Sequence, residues 1–394
     1  MRILVNDFAG HPFQLQLSRA LAGDGNIVRH TYFGANNTPR GRVSGDHQNL
    51  KIINLTIEGE FKKHSILSRR GADVGYGRAL SDVIRAFRPD IVISANTPLD
   101  AQRMALAATR EVKGKFVFWL QDLLSTGVEF VLRKKRVPFS RFIGEYYRRM
   151  ECALLQNADA IVCIAPEFRT LLEKWHVRNK RTFVIENWAS LDEVKPVLEL
   201  NAWSREQGIE GKFCYMYSGT LGMKHKPELI LELARRYQTR KDVVTVVIAE
   251  GKGAEWLRAN SGEIDVAALR LLPFQPYERL SEVLSSADVL ISLLDENCGE
   301  FAVPSKTLTY LCAGRSVLIA SPLNNLAARV VLRAGAGVAV RPTAEEFLVG
   351  ASLLMDDKER RQMCGIRARK YAEQTFDIEQ IKKDFLEVFE SLSG

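Results

Sequence analysis

The chain has 394 residues, of which 46% are hydrophobic and 26% charged, with a net charge of +8 at neutral pH. That length exceeds what one hydrophobic core usually serves, so two domains are expected, and the composition excludes a disordered or disulfide-stapled chain. No stretch reaches the roughly 18 apolar residues of a spanning helix, and MRILVNDF enters a strand at once without a basic-then-apolar leader, which points to a cytoplasmic protein.

In chain order, RILVND reads as a buried strand and PFQLQLSRALAGDG as a helix ending in glycines. IVRHTYFG and LKIINLTI are the next strands. A helix over Gly75–Phe87 leads into PDIVISAN, and one over Leu99–Val112 into KFVFWLQD. A basic segment and a long helix over Ile143–Gln156 lead into ADAIVCIA; a helix over Phe168–Trp175 precedes RTFVIEN. Strands separated by helical stretches mean βαβ units and a parallel sheet.

After a polar connection, roughly Trp188 to Lys212, the rhythm restarts. FCYMYSG, VVTVVIAEG, LRLLPF, ADVLISLL, SVLIAS and GVAVRP read as strands. Helices are expected over Pro227–Arg240, Glu255–Asn260, Tyr277–Ser286, Thr307–Ala313 and Ala344–Met355, followed by a charged helical tail. The fold class is therefore α/β, with two Rossmann-like doubly wound domains facing a central cleft: 1–190, 191–375, and a C-terminal helix over 376–394 packing back on the first domain.

The six cysteines (Cys152, Cys163, Cys214, Cys298, Cys312, Cys364) are scattered and form no CxxC pair, which fits buried reduced thiols. The six histidines show no ligand spacing, so no protein-bound metal is expected. Residues 1–190 hold 29 Lys and Arg against 18 Asp and Glu, a net of +11, while residues 191–394 net −3. One basic cluster comprises Lys62, Lys63, Arg69, Arg70 and Arg78; a second runs through Arg133–Arg149, interleaved with Phe130, Phe139, Phe142, Tyr146 and Tyr147. Such a segment suits an anionic membrane surface, or is a solvated helix face with its apolar side on the sheet. No nucleic-acid module is recognisable, so no nucleic-acid partner is expected.

The stretch Ala287–Ser321, ADVLISLLDENCGEFAVPSKTLTYLCAGRSVLIAS, reads strand, loop, helix, strand. A parallel sheet binds ligands beyond the carboxyl ends of its strands, and a helix N-terminus there suits an anion such as pyrophosphate. Lys306 adds a full charge at that point, and Ser305 is expected to cap the helix.

The order YSGTLGMKHKPELILELA, VVTVVIAEGKG, LRLLPF, ADVLISLL, GEFAVPSKTLTYLCAGRSVLIAS resembles the retaining glycosyltransferases of family 4, which have the GT-B architecture. NDFAGHPFQLQLSRALA and FVFWLQDLLS are similar to the branch that builds bacterial surface polysaccharides. The resemblance implies transfer from a UDP- or GDP-linked sugar, as co-substrate rather than cofactor, to a lipid-linked or saccharide acceptor, with no metal ion. Together with the basic first half, this leads to the expectation of a peripheral location on the inner face of the plasma membrane, with the Arg133–Arg149 segment as the docking surface.

Carried onto this chain, the resemblance places Gly219 and Thr220 at the strand-end turn of the diphosphate site. The family's Arg falls at Thr220 and its Lys at His225, flanked by Lys224 and Lys226; Lys224 is favoured as ligand and Lys226 is the substitute, against a reading of both as surface charges. Anchored on Pro304, the two family glutamates fall at Gly299, beside Glu300, and at Thr307. Glu300, Phe301, Ala302 and Val303 would line the donor sugar, and Ser305 and Lys306 face the phosphates. Glu250 and Phe274 border the nucleotide, Phe274 through its backbone. In the first half Gly10 allows close approach, His11 hydrogen-bonds acceptor or phosphate or merely enters the helix, and Asp122 orients the acceptor hydroxyl or caps the next turn. Glu300, Lys224, Asp122 and His11 form the catalytic set; the alternatives are a nucleotide-sugar epimerase or hydrolase of the same shape, or a non-catalytic nucleotide-sugar-binding partner.

Overall fold

The computed structural model describes residues 1–35, 47–56, 66–134, 136–179, 181–197, 201–297 and 304–392. The chain divides into two compact units, Met1–Asn187 with Ile378–Gly394, and Trp188–Asp377.

The first unit runs β1 (Arg2–Asp7), α1 (Pro12–Gly23), β2 (Ile27–Phe33), β3 (Leu50–Leu55), α2 (Ile66–Phe87), β4 (Ile91–Ala95), α3 (Leu99–Glu111), β5 (Lys115–Leu120), α4 (Leu124–Lys134), α5 (Ser140–Asn157), β6 (Ala160–Cys163), α6 (Glu167–Lys174) and β7 (Thr182–Val184). The second runs α7 (Ala202–Glu206), β8 (Phe213–Ser218), α8 (Pro227–Tyr237), β9 (Val243–Ile248), α9 (Lys252–Asn260), β10 (Leu269–Leu272), α10 (Leu280–Ser285), β11 (Val289–Leu293), α11 (Ser305–Cys312), β12 (Ser316–Ala320), α12 (Leu326–Arg333), β13 (Gly337–Val340), α13 (Ala344–Asp356) and α14 (Lys358–Thr375). A last helix, α15 (Ile378–Glu390), belongs to the first unit.

Both sheets are wholly parallel. The first has the order β3-β2-β1-β4-β5-β6-β7 and the second β10-β9-β8-β11-β12-β13. In each, the winding reverses beside the unit's first strand: between β1 and β4, where Ile3 pairs with Ile91, and between β8 and β11, where Val289 pairs with Tyr215. Every residue of β4, β9, β11 and β12 is buried, as expected of strands covered by helices on both faces. Connections leave a crevice beyond the strand ends at each reversal, which is where doubly wound sheets bind ligands.

Several elements differ from the sequence reading. α2 begins at Ile66 rather than Gly75 and runs through Gly71 without a break; its Gly77 serves packing, since a Cβ there would lie 2.9 Å from the Ala101 Cα of α3. A further helix, α4, precedes α5 and ends in the basic segment at Arg133 and Lys134, and α5 itself begins at Ser140 rather than Ile143. α9 starts at Lys252, three residues early, with Gly251 at its N-cap. The charged tail forms two helices divided at Phe376 and Asp377. α15 joins the first unit's core, with the Phe385 ring 4.9 Å from that of Trp119 on β5 and the Lys382 ammonium 2.8 Å from Asp24.

Candidate active site

In the second unit, β8 delivers its chain end to the reversal between β8 and β11. Tyr310 of α11 holds that end at both polar groups: its hydroxyl accepts from the Ser218 N–H and donates to the Ser218 carbonyl, each at 2.9 Å. Gly219 follows at φ +129°, a conformation side chains rarely adopt, and a Cβ there would stand 3.1 Å from the Lys306 Cε. Glycine at this position therefore permits both the turn and the approach of the lysine.

The Lys306 side chain crosses from the first turn of α11 to this loop. Its ammonium donates to the Tyr217 hydroxyl and, at 3.1 Å, to the Thr220 carbonyl, and lies 4.0 Å from the Tyr217 ring centroid. Tyr217 in turn donates to the Thr220 carbonyl at 2.8 Å. No carboxylate takes part in these bonds. Burial, with the charge of Lys224 nearby, pulls the Lys306 ammonium down to about 7. An amine so placed gains most from an incoming anion.

Neighbouring strand ends brace the loop. Leu221 donates to the Glu250 carbonyl (2.9 Å) beyond β9, Gly253 donates to the Leu221 carbonyl (2.8 Å), and Asp295 beyond β11 donates to the Lys224 carbonyl (2.8 Å). His225 is buried; its Nδ1 accepts from the Gly222 N–H at 3.0 Å, and burial followed by Lys306 and Lys224 pulls the imidazole down to about 2. It braces the turn as a neutral ring.

Several expected residues thus meet: Gly219, Thr220, Lys224 and Lys306 share one strand-end crevice, with the exposed Glu250 on the adjoining turn. Lys226 is placed elsewhere, its ammonium donating to the Pro342 carbonyl at 2.7 Å. Ser305 does not cap α11: Pro304 is the N-cap residue and Ser305 the first helical one, exposed in the opening turn. Thr307 is fully buried, its hydroxyl 2.8 Å from that of Ser292 on β11, so an acid at that position would point into the core rather than at a ribose. The positions one turn on from Lys306 are Thr309 and Tyr310. Phe274, two residues beyond β10, is half-buried. Glu300, Phe301, Ala302 and Val303 lie outside the described residues.

The first unit builds its crevice differently. Asp7 ends β1 fully buried, and its carboxylate accepts the backbone N–H groups of Ala9 (3.1 Å), Gly10 (2.9 Å) and His11. Burial raises that carboxyl to about 7 against the lowering effect of the three bonds. Gly10 turns at φ +76°. The His11 ring lies 5.5 Å from that of Phe13, and burial pulls it down to about 4, which favours the uncharged ring. Beneath the turn, Asn6 donates to Ser94 (3.0 Å) and Thr97 (2.7 Å) and accepts from Thr31 (3.0 Å) and Tyr76 (2.5 Å), tying three strands and α2 together. Beyond β5 it is Gln121 that is buried, accepting from Asn96 at 2.5 Å, while Asp122 is exposed. Asp122 thus carries no burial penalty, and its position after the strand rather than within it is the reason.

Sequence reasoning missed Tyr217, Tyr310 and Asp7. The tyrosines sit in buried runs and read as core; Asp7 had a signal, an acid closing an apolar strand just before Gly10. Among the described residues no cluster of three or more His, Cys, Asp or Glu is arranged to hold a metal ion.

Two doubly wound parallel units, one carrying a lysine and a positive-φ glycine at its switch point, define an α/β protein built of two Rossmann-like units. Comparison with known proteins narrows the class. The pattern of Glycosyltransferase Family 4 matches residues 14–193 and that of Glycosyl transferases group 1 matches residues 201–371, so the chain belongs to the GT-B glycosyltransferases of the family 4 type. WcaI of Escherichia coli K12, named for glycosyl transfer in colanic acid biosynthesis, is 22% identical over 238 residues, 59% of this chain and 57% of that protein. The chain spans 57% and 60% of the lengths of the two curated relatives it matches. Sucrose-phosphate synthase of Thermosynechococcus elongatus superposes with a TM-score of 0.74 at 15% identity, over 100% of this chain and 99% of that one. HepE of Anabaena, solved with UDP-glucose, gives 0.71 at 15% identity over 100% and 99%. At such identities the two structures speak for the fold alone.

Proposed function

We propose that the protein transfers a sugar from a UDP- or GDP-linked donor to a lipid-linked or saccharide acceptor in surface-polysaccharide assembly, with retention of anomeric configuration. The observation that carries this reading is the Lys306 ammonium, bonded only to neutral oxygens beside Gly219 at the β8–β11 switch point. The polysaccharide setting draws on the name of the WcaI relative, and the nucleotide sugar on the UDP-glucose in the HepE structure.

Breaking the bond between sugar C1 and the diphosphate oxygen leaves growing negative charge on the phosphates. Lys306, with the first-turn N–H groups of α11 beside it, meets that charge where it develops; Lys224 adds a second cation at the rim. The acceptor hydroxyl attacks C1 from the face the diphosphate leaves, and its proton passes to the departing phosphate oxygen. This front-side route uses no protein nucleophile, which suits a site of lysine and helix terminus. In the first unit His11 and Asp122 would address the acceptor, His11 as a neutral hydrogen-bonding ring and Asp122 as an exposed carboxylate.

The enzyme would work at the cytoplasmic face of the plasma membrane, held there peripherally; among the described residues no helix is long and apolar enough to cross a membrane. Product analysis with a panel of nucleotide sugars, with and without acceptor, tests the reading. An acceptor-dependent glycoside with the donor's anomeric configuration is the expected result. Epimerised or hydrolysed nucleotide sugar formed without acceptor would overturn it.

A further inference from the structure

The α4–α5 hairpin of the first unit presents apolar surface on the side away from its core. α5 buries Gly144, Met150, Glu151, Leu154 and Leu155. On the opposite face Phe139 is 77% exposed, Phe142 74% and Tyr146 45%. Positions 139, 142 and 146 follow i, i+3, i+7 spacing and form one stripe, which Arg149 continues. Lone exposed apolar residues are ordinary; an aligned aromatic series at the tip of a helical hairpin is not.

The tip is also shaped and held. Arg136 and Phe139 both take left-handed backbone, at φ +50° and +58°, a conformation disfavoured for side chains other than glycine. At the base, the buried Glu151 carboxylate accepts the N–H groups of Leu124 (3.0 Å) and Ser125 (3.1 Å), fixing the start of α4 to α5. Gly144 admits α4 closely: a Cβ there would lie 3.1 Å from the Glu129 Cγ. The aromatic stripe is therefore presented by a braced scaffold.

Charge decides what covers it. Residues 129–149 hold seven Lys and Arg against two Asp and Glu. Glu129 pairs with Arg133, and Glu145 with both Arg148 and Arg149. Arg136 and Arg141, both exposed beside the phenylalanines, have no ion pair among the described residues. A two-fold dimer through this stripe would set the cationic patch against itself. A bilayer with anionic headgroups offers both the apolar layer for the rings and the phosphates for the arginines.

We infer that Phe139 and Phe142 insert into the headgroup layer of an anionic bilayer while Arg136 and Arg141 bind lipid phosphates. The role of this docking rests on the proposed lipid-linked acceptor, but its test does not, since vesicle binding is measured with neither donor nor acceptor present.

Flotation with vesicles of equal parts phosphatidylglycerol and phosphatidylcholine, against phosphatidylcholine alone, tests the inference. The wild type should float with the anionic vesicles and lose most binding in high salt. Phe142→Ala, in a regular exposed helical turn, should weaken partitioning about tenfold, and Phe139→Ala with Phe142→Ala further. Arg136→Glu with Arg141→Glu should weaken it about tenfold or more, while Arg178→Glu, elsewhere on the same unit, should change it less than about twofold. Wild type that stays with the unbound fraction overturns the inference. So do phenylalanine variants that bind vesicles normally, or that change only the sedimentation of a protein dimer.

Discussion

The two sheets share a winding order, yet their first strands end in opposite electrostatics. After β1 the turn is gathered around an acid: Asp7 occupies the N–H groups of Ala9, Gly10 and His11, leaving those amides unavailable to an anion. After β8 the turn is gathered around a cation, with Lys306 on the Thr220 carbonyl and Tyr217. The same topology therefore places an acid at one strand-end turn and a cation at the other; under the proposed function the cationic turn takes the phosphates and the acidic one the acceptor's hydroxyl groups. Net charge alone suggests the reverse, because the first half is the basic one. Its excess lies partly on the α4–α5 hairpin.

Four substitutions break or sharpen this contrast. Lys306→Met should remove the phosphate cation and lower kcat about 10²–10³-fold in a transfer assay. The same change should raise the melting temperature at neutral pH by at least ~2 °C, because it removes an amine that burial disfavours in its charged form. The folded amine at about 7 lies below its ordinary 10.5, so the folded state binds fewer protons between those values. Wild-type stability from this group should accordingly rise with pH over that window, and Lys306→Met should lack the slope.

Gly219→Ala strains a φ of +129° and crowds the Lys306 Cε, so activity should fall about tenfold to a hundredfold with loss of stability, seen by kinetics and thermal melts. In the other crevice, Asp7→Asn replaces an acceptor of three N–H groups and should cost about 1–2 kcal/mol in urea unfolding at neutral pH. The sign with pH is opposite to that of the lysine. Asp7 is raised to about 7 when folded against 3.8 ordinarily, so its contribution is fullest below about 3.8 and declines as pH rises through 7. The wild type's advantage over Asp7→Asn should grow as pH falls across that window. Lys226→Met should be mildest: loss of its bond to Pro342 costs about 1 kcal/mol, with transfer changed less than about threefold.

The architecture was legible because buried parallel strands announce themselves as unbroken apolar runs between helical spacings, as VVTVVI and VLISL do. The lysine of the site was legible too, since a charge just after Pro304 at a strand–loop–helix junction has few structural uses. What was not legible depended on tertiary partners. Thr307 is set by the phase of α11 against Ser292, Lys226 by a carbonyl 116 residues away, and the role of Tyr310 by a backbone group on β8. The exposure of Asp122 was not legible either, because one residue separates the buried end of β5 from solvent.

Calorimetric titration of UDP and of GDP into the wild type and Lys306→Met, from about pH 6 to about pH 9 and in two buffers of different ionisation heat, tests the central claim most directly. If Lys306 is the phosphate ligand, wild-type affinity for one of them falls as pH rises through about 7, binding above that pH takes up a proton, and Lys306→Met loses both the affinity and the uptake. Affinity and proton uptake that survive unchanged in Lys306→Met would contradict the account.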